Sequence, residues 1–369
     1  MIRLSKSVIG EKEKANVLRI LDEEFLGMGT EVKLFESELT EFFNRPAICV
    51  SSGTAAIHLA LQAAGIGLGD EVLVQSLTYL ASYQAISATG AKPVSCDINA
   101  DNFTINLNDA ERKVTAKTKA VLLVHYAGNV GDMESVYAFA RKYNIRVIED
   151  AAHAFGTIYQ NKLVGNFGDI VCFSFDGIKN ITSGEGGAIV SEDHEILNKI
   201  SDLRLLAVRN DAEKRYKNKR SWDISVTEQG WRYHMSNIMA AIGRVQLSRF
   251  ESFKQARQSL AKRYKTNLKD CKKIKLLDIN YQEVVPHIFV VRLIENNRDV
   301  IREILLSKGI QTGVHYKPNH LLDFYKDDNV KLPVTEEIYK QILTLPLHPD
   351  LTYSDIDKVC NTLKDLLYE

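Results

Sequence analysis

Cysteine is scarce in this sequence, five in 369 residues. Cys49, Cys96, Cys172, Cys271 and Cys360 are odd in number, widely spaced and mostly set in apolar runs. That spacing excludes a disulfide framework and a paired-cysteine metal site, so reduced core residues and no metal centre are expected. Net charge is missing too. The 47 Lys and Arg balance the 47 Asp and Glu, which leaves no global field to draw in a phosphate backbone, and nucleic acid is not an expected partner. No apolar run nears the roughly 18 residues of a membrane span, and the residues after Met1 lack the basic-then-apolar pattern of an export signal. The expectation is a cytoplasmic protein with no membrane partner. Internal repeats and low-complexity segments are also absent. What is there, 45% hydrophobic and 25% charged residues, is the composition of a globular protein long enough for about two domains.

Between residues 47 and 191, short apolar runs alternate with helical patterns. Strands are expected at Ala47–Val50, Glu71–Ser76, Pro93–Ile98, Ala120–Tyr126, Arg146–Asp150, Ile170–Phe175 and Ala188–Ser191, with helices at Ser52–Ala64 and Met133–Tyr143. Runs this apolar read as strands buried on both faces, joined by helical crossovers. The fold class that follows is α/β, a mainly parallel seven-stranded sheet wrapped by helices. An amphipathic stretch, Ser236–Asn267, reads as a connecting helix into a smaller α+β domain. That domain is expected to hold strands at Val284–Leu293 and Thr312–Tyr316, a helix at Asp299–Lys308 and a last helix from Ser354. The division is placed at 1–245 and 246–369. One polar stretch stands apart: Arg209, Lys214, Arg215, Lys217, Lys219 and Arg220 crowd a segment without periodicity. It is either a solvated surface loop or a mobile basic loop that closes over a phosphorylated ligand.

Three spots carry chemistry. Ser51-Ser52-Gly53-Thr54 lies between a strand and a helix, where small residues let a backbone approach an anion and the free N–H groups of the helix start face it; the same string also makes an ordinary helix cap. Asp150 ends a strand, where open α/β sheets place ligands, or else caps a helix. Lys179 follows a buried strand in Phe173-Ser174-Phe175-Asp176-Gly177-Ile178-Lys179, ahead of Ser183-Gly184-Glu185-Gly186-Gly187. It is either a solvated charge or a desolvated amine able to form a Schiff base.

Together the anion cup, the aspartate and a lysine 29 residues after it match what a pyridoxal 5'-phosphate site demands: a phosphate seat, a carboxylate for the pyridine nitrogen and an amine for the aldehyde. The strings SSGTAAIHLAL, VIEDAAHAFG, FSFDGIKNITSGEGG and RYHMSNIMAAIGRVQL resemble the DegT/DnrJ/EryC1/StrS family of nucleotide-sugar aminotransferases, from about Gly27 to the last helix. The resemblance implies the aspartate-aminotransferase-like, fold type I architecture with pyridoxal 5'-phosphate as cofactor. It implies that Gly53, Thr54 and Ser174 hold the cofactor phosphate and that Tyr79 stacks on its ring, unless Tyr79 is a core residue. Asp150 would pair with the ring nitrogen, His153 would lie beside the ring hydroxyl, and Lys179 would carry the Schiff base. Glu185, Arg220, His315 and Tyr316 would touch substrate, His315 being otherwise a satisfied core histidine.

The sequence departs from the family in Gly230-Trp231-Arg232-Tyr233-His234-Met235, where Arg232 replaces an asparagine that in the family reaches the cofactor phosphate of the neighbouring subunit. Arg232 is expected to take over that contact, the alternative being an interface arginine paired with a carboxylate. Lys179 argues against the family branch that dehydrates sugars and carries histidine there. The expected activity is transfer of an amino group from L-glutamate to a nucleotide-linked 4-keto-6-deoxyhexose, with dTDP favoured, by a homodimer whose active sites lie at the interface. Amination at C3, a GDP or UDP sugar, a non-catalytic regulator on the same fold, and a desulfurase using Cys360 are the alternatives.

Overall fold

The computed structural model describes residues 1–209, 211–217 and 224–368. Its strands are β1 (Ala47–Val50), β2 (Glu71–Gln75), β3 (Lys92–Cys96), β4 (Thr118–Val124), β5 (Arg146–Asp150), a small hairpin of β6 (Ile158–Tyr159) and β7 (Lys162–Leu163), β8 (Ile170–Ser174), β9 (Gly187–Val190), β10 (Ile274–Leu276), β11 (Phe289–Leu293) and β12 (Ile342–Leu345). Seven form one sheet in the order β1-β9-β8-β5-β4-β2-β3. Only β9 runs against its neighbours, β1 and β8; the other pairings are parallel. The expected α/β architecture is therefore present, with all seven expected strands in place. The central strands are buried on both faces, because helices such as Gly53–Ala63 and Met133–Tyr143 cover them.

This topology gathers chemistry at one edge. Since β9 is antiparallel to β1 and to β8, those two run the same way, and Val50, Gly187 and Ser174 stand side by side in register. The carboxyl ends of β1, β2, β4, β5 and β8 all open on that edge, where such sheets bind ligands.

A second antiparallel sheet, β10-β11-β12, has its own core with the helices Phe250–Leu268, Arg298–Ser307 and Tyr353–Tyr368. Leu77, Phe103 and Tyr126 from the first half pack into that core.

Four expectations change. The connecting helix is two helices, Asn237–Ser248 and Phe250–Leu268, hinged at Arg249. The first packs by Gly243 against the Phe35 ring, and the second carries Leu260, Tyr264 and Leu268 into the other core, so one straight rod cannot serve both. The run from Val284 becomes a strand only at Phe289, because Pro286 has no N–H for a ladder and the amides of Val284 and Val285 donate to Asn280 O (2.9 Å) and Thr157 Oγ1 (3.1 Å). Of Thr312–Tyr316 only Gly313 pairs, with Thr344. Within the basic stretch, Asp211–Tyr216 is a short helix anchored by buried Ala212, the Arg215–Asp211 pair (2.6 Å) and the Tyr216 hydroxyl on Glu36; Lys219 and Arg220 lie outside the described residues. All five cysteines are free and buried, Cys360 fully inside the last helix, which gives the desulfurase alternative no mobile thiol. Among the described residues no helix is long and apolar enough to cross a membrane.

Candidate active site

Above the shared sheet edge lies a cavity of about 400 Å³, within the size range of small-molecule sites. Gly53, Thr54, Tyr79, Asp150, His153, Ser174, Lys179, Glu185, His315 and Tyr316 all line it. At the end of β1, Ser52 caps the helix Gly53–Ala63 by accepting from Ala55 N (3.1 Å). Capping and anion binding are thus compatible here, since Gly53 and Thr54 still face the cavity. A Cβ on Gly53 would stand 2.8 Å from Ser174 Cβ, so only glycine lets the helix start approach β8. Gly187 is equally tight, with Ser52 O 2.6 Å and Phe173 O 2.7 Å from an added Cβ.

Asp150 ends β5 and is buried. No helix follows it, so it is not a cap. Ser82 Oγ donates to Oδ2 (2.8 Å) and Ala152 N to Oδ1 (3.1 Å), which fixes the carboxylate plane. Lys179 sits past β8 in a turn closed by its own N–H on Asp176 O (3.1 Å). Loss of water around the amine pushes Lys179 down to about 8; Asp150 and Asp176 oppose that shift and the Arg257 cation adds to it. The solvated-charge reading of Lys179 is therefore replaced by that of a desolvated amine.

The facing wall comes from His287, His315 and Tyr316 of the second half of the chain, met by His153 of the first. His153 Nδ1 accepts from Ala127 N (3.3 Å), which places its proton on Nε2, 3.0 Å from Tyr316 Oη. Nε2–H then donates to the tyrosine, and the Tyr316 O–H is left to point elsewhere. Burial and the Lys179 charge keep His153 well below the usual imidazole range. His315 is held by Thr344 Oγ1 (2.8 Å) and pushed down to about 4 by burial and Lys179; Tyr126 donates to its carbonyl. Its ring is both satisfied and part of the cavity wall. Tyr79 is 60% exposed, so it is not a core residue. Its ring centre lies 5.4 Å from that of Tyr316. Glu185 is exposed at the rim, and partial burial beside Asp176 raises its carboxyl.

Two expected residues are not brought in. Arg232 is exposed and lines no part of this chain's cavity; its neighbour Tyr233 accepts from Ser51 N (2.7 Å), which runs the segment alongside the phosphate cup. Arg220 lies outside the described residues. Conversely, His287 and Asp176 line the cavity, although the family resemblance assigns neither a role. His287 was detectable as the one ionisable group in the apolar run before Arg292. A wider surface hollow of about 690 Å³ between Glu38 and Arg244 has no such convergence of amine, carboxylate and imidazoles.

The donor set fits pyridoxal 5'-phosphate: a glycine cradle that a Cβ would fill, a buried oriented carboxylate, a desolvated amine and an exposed aromatic ring. Comparison with known proteins agrees. The chain is 35% identical over 371 residues to the uncharacterised protein MJ1066 of Methanocaldococcus jannaschii, covering 98% of this chain and 96% of that one. It superposes on Spr1654 of Streptococcus pneumoniae, solved in pyridoxamine and pyridoxal phosphate forms, with TM-score 0.92; in the pyridoxamine form the identity is 30%, covering 100% of this chain and 98% of the other. The sugar aminotransferase CalS13 of Micromonospora echinospora gives TM-score 0.91 at 26% identity over 99% and 100% of the two chains. Residues 7–364 match the sequence model of the DegT/DnrJ/EryC1/StrS aminotransferase family, and the chain belongs to that family, with its fold type I, mainly parallel seven-stranded architecture.

Proposed function

We propose that this protein is a pyridoxal 5'-phosphate-dependent aminotransferase that moves the amino group of L-glutamate to a dTDP-linked 4-keto-6-deoxyhexose, giving a 4-amino-4,6-dideoxy sugar. The observation that carries the reading is the desolvated Lys179 amine in one cavity with the oriented Asp150 carboxylate. The cofactor, when bound, supplies the electron sink and carries the amino group between the two substrates. Gly53 and Thr54 offer helix-start amides to its phosphate, with the Ser174 hydroxyl beside them. Asp150 holds a negative charge toward the ring nitrogen, and Ser82 keeps that carboxylate from turning away. Tyr79, exposed at the cavity mouth, would cover the ring, and His153 would lie beside it. Lys179 would be the base that takes a proton from the donor's α-carbon and gives it back, a role suited to an amine that burial brings down to about 8 in the free protein.

Glu185, His315 and Tyr316 face the sugar, and the basic stretch with Arg220 takes its pyrophosphate. Residues 1–245 form the larger, cofactor-holding part and 246–369 the smaller one. Two subunits complete each other's sites, in the cytoplasm. Purified enzyme is expected to be yellow, to lose that colour on glutamate with release of 2-oxoglutarate, and to show ping-pong kinetics. Incubation with a panel of dTDP, GDP and UDP keto sugars, with NMR of the product, tests the substrate assignment. Amination of none of them, or bleaching without a sugar product, sinks it.

A further inference from the structure

The Lys179 amine has a single hydrogen-bonding neighbour among the described residues, His287 Nε2 at 3.5 Å. That is the outer limit for such a bond, and catalytic hydrogen bonds that are long in a free site commonly tighten in the substrate complex. His287 is 3% exposed and its ring centre lies 4.5 Å from that of His153. The two imidazoles differ in one respect. His153 has both nitrogens engaged, so its tautomer is fixed. His287 Nδ1 is buried with no partner among the described residues, so the Lys179 amine alone decides which nitrogen of His287 carries the proton.

The backbone around both groups is clamped from behind. Arg257, 2% exposed, donates to the carbonyls of Ile178 and Lys179 on one side and of Pro286, His287 and Leu347 on the other, at 3.1 to 3.5 Å. Its hydrogen bonds go to carbonyl oxygens alone, and no carboxylate pairs with it among the described residues. A buried guanidinium is costly unless paired, and this one ties the lysine turn to the histidine turn.

We propose that His287 is the proton partner of Lys179, accepting a hydrogen bond from the ammonium and donating one to the free amine. With its proton on Nδ1, His287 takes the Lys179 N–H at Nε2. As the N–H bond of the ammonium breaks, the proton moves to the Nε2 lone pair, leaving a neutral amine and an imidazolium; the reverse step restores both. Charge and protons balance within the pair, so no solvent molecule has to enter the buried wall. The groups that face Lys179 and bias this exchange are Asp150 and Asp176, which favour the ammonium, and Arg257, which opposes it; His153 and His315 stand by as imidazoles that burial and the Lys179 charge keep neutral, and Glu185 and Tyr316 line the same cavity. Burial and the Lys179 charge hold His287 well below the usual imidazole range, so the imidazolium is a short-lived state and the ammonium form the resting one.

The inference rests on Lys179 being the cofactor lysine, and the test separates the two. In cofactor-free protein, the rate at which acetic anhydride labels Lys179 is followed against pH by peptide mass spectrometry. Loss of the neutral imidazole that accepts from the charged ammonium should lower the Lys179 midpoint in His287→Phe by about one pH unit. His287→Gln, whose amide can reach the same place, should restore the midpoint. In the loaded enzyme His287→Gln should still slow the glutamate half-reaction by about 10²-fold and flatten its pH profile, because an amide cannot take the proton. A midpoint and a half-reaction profile unchanged in both variants overturn the proposal, and His287→Gln decides alone if the phenylalanine variant does not fold. Wild-type protein in which borohydride fixes no cofactor onto Lys179 overturns the functional reading instead.

Discussion

Gly53, Asp150, Ser174 and Lys179 hang from the ends of laddered strands, or a single turn beyond one, whereas His287, His315 and Tyr316 reach the same cavity on irregular segments held mainly by side-chain hydrogen bonds. The first wall is placed by register: Val50, Gly187 and Ser174 cannot move independently. The second is placed by Arg257, Thr344, Tyr126 and His153, each a contact that one substitution removes. Bond-making groups therefore sit where geometry is most constrained, and the groups that meet the sugar or assist Lys179 sit where it is least constrained. Lesions in the first wall should abolish chemistry; lesions in the second should retune it.

Lys179 gives the largest expected effect. Lys179→Ala should abolish turnover, a loss of at least about 10⁴-fold, while cofactor still binds through the phosphate cup and Asp150; product formation near the wild-type rate removes the strand wall from the chemistry. The same lysine costs stability. Its folded pKa of about 8 lies below the ordinary lysine value, so the unfolded chain binds the extra proton between those values. Stability from this group therefore rises with pH above about 8, and below it the full cost applies, up to about 3 kcal/mol. Lys179→Met should accordingly raise the Tm of cofactor-free protein at pH 7, with the gain shrinking as pH rises through 8 to 10; an unchanged or lower Tm contradicts the desolvated amine.

Asp150→Asn should leave a folded, weakly coloured enzyme whose kcat falls on the order of 10²-fold with KM for the sugar nearly unchanged, because an amide cannot hold the ring nitrogen's proton. A fall confined to KM would place Asp150 in substrate binding.

The contrast between the walls also explains what the sequence discloses. Strand ends are legible because buried parallel strands leave a signal in consecutive apolar residues: Asp150 after Val147-Ile148-Glu149 and Lys179 after Ile170–Ser174 stand out against that background. The second wall has no such signal. His287 hides in a run that reads as one strand but turns irregular at Pro286, and Gly313 leaves a ladder after a single pair. Arg257 lies on the same helical stripe as Phe253, Leu260 and Tyr264, a cation among core positions, and an amphipathic pattern read for its apolar members passes over it. Arg249 breaks what looks like one long helix because the two halves serve different cores, a tertiary demand that no local propensity encodes.

In the second wall, Tyr316→Phe should cost about tenfold in kcat/KM for the sugar, the worth of one hydrogen bond at a partly buried site. Cofactor binding and the glutamate-induced bleaching should be nearly unaffected. Equal losses in both half-reactions would mean that Tyr316 belongs with Lys179 rather than with the retuning groups.

Arg232 tests whether a third wall comes from the partner subunit. It is exposed, outside its own chain's cavity, and its segment is tied to Ser51 at the phosphate cup. A side chain displayed so close to the sheet edge, yet turned from its own site, suits a phosphate contact across a two-fold interface, where a guanidinium fork binds an anion better than the neutral amide it replaces. Arg232→Ala should weaken cofactor retention by about tenfold or less, measured by dialysis and absorbance. Mixing Arg232→Ala with Lys179→Ala under subunit exchange decides the direction of the contact. If Arg232 acts in trans, each heterodimer has one site with Lys179 from one chain and Arg232 from the other, and random exchange rebuilds about a quarter of the sites. If Arg232 acts within its own chain, every site in the mixture carries one lesion, no activity returns, and the cavity is built from two walls of a single subunit.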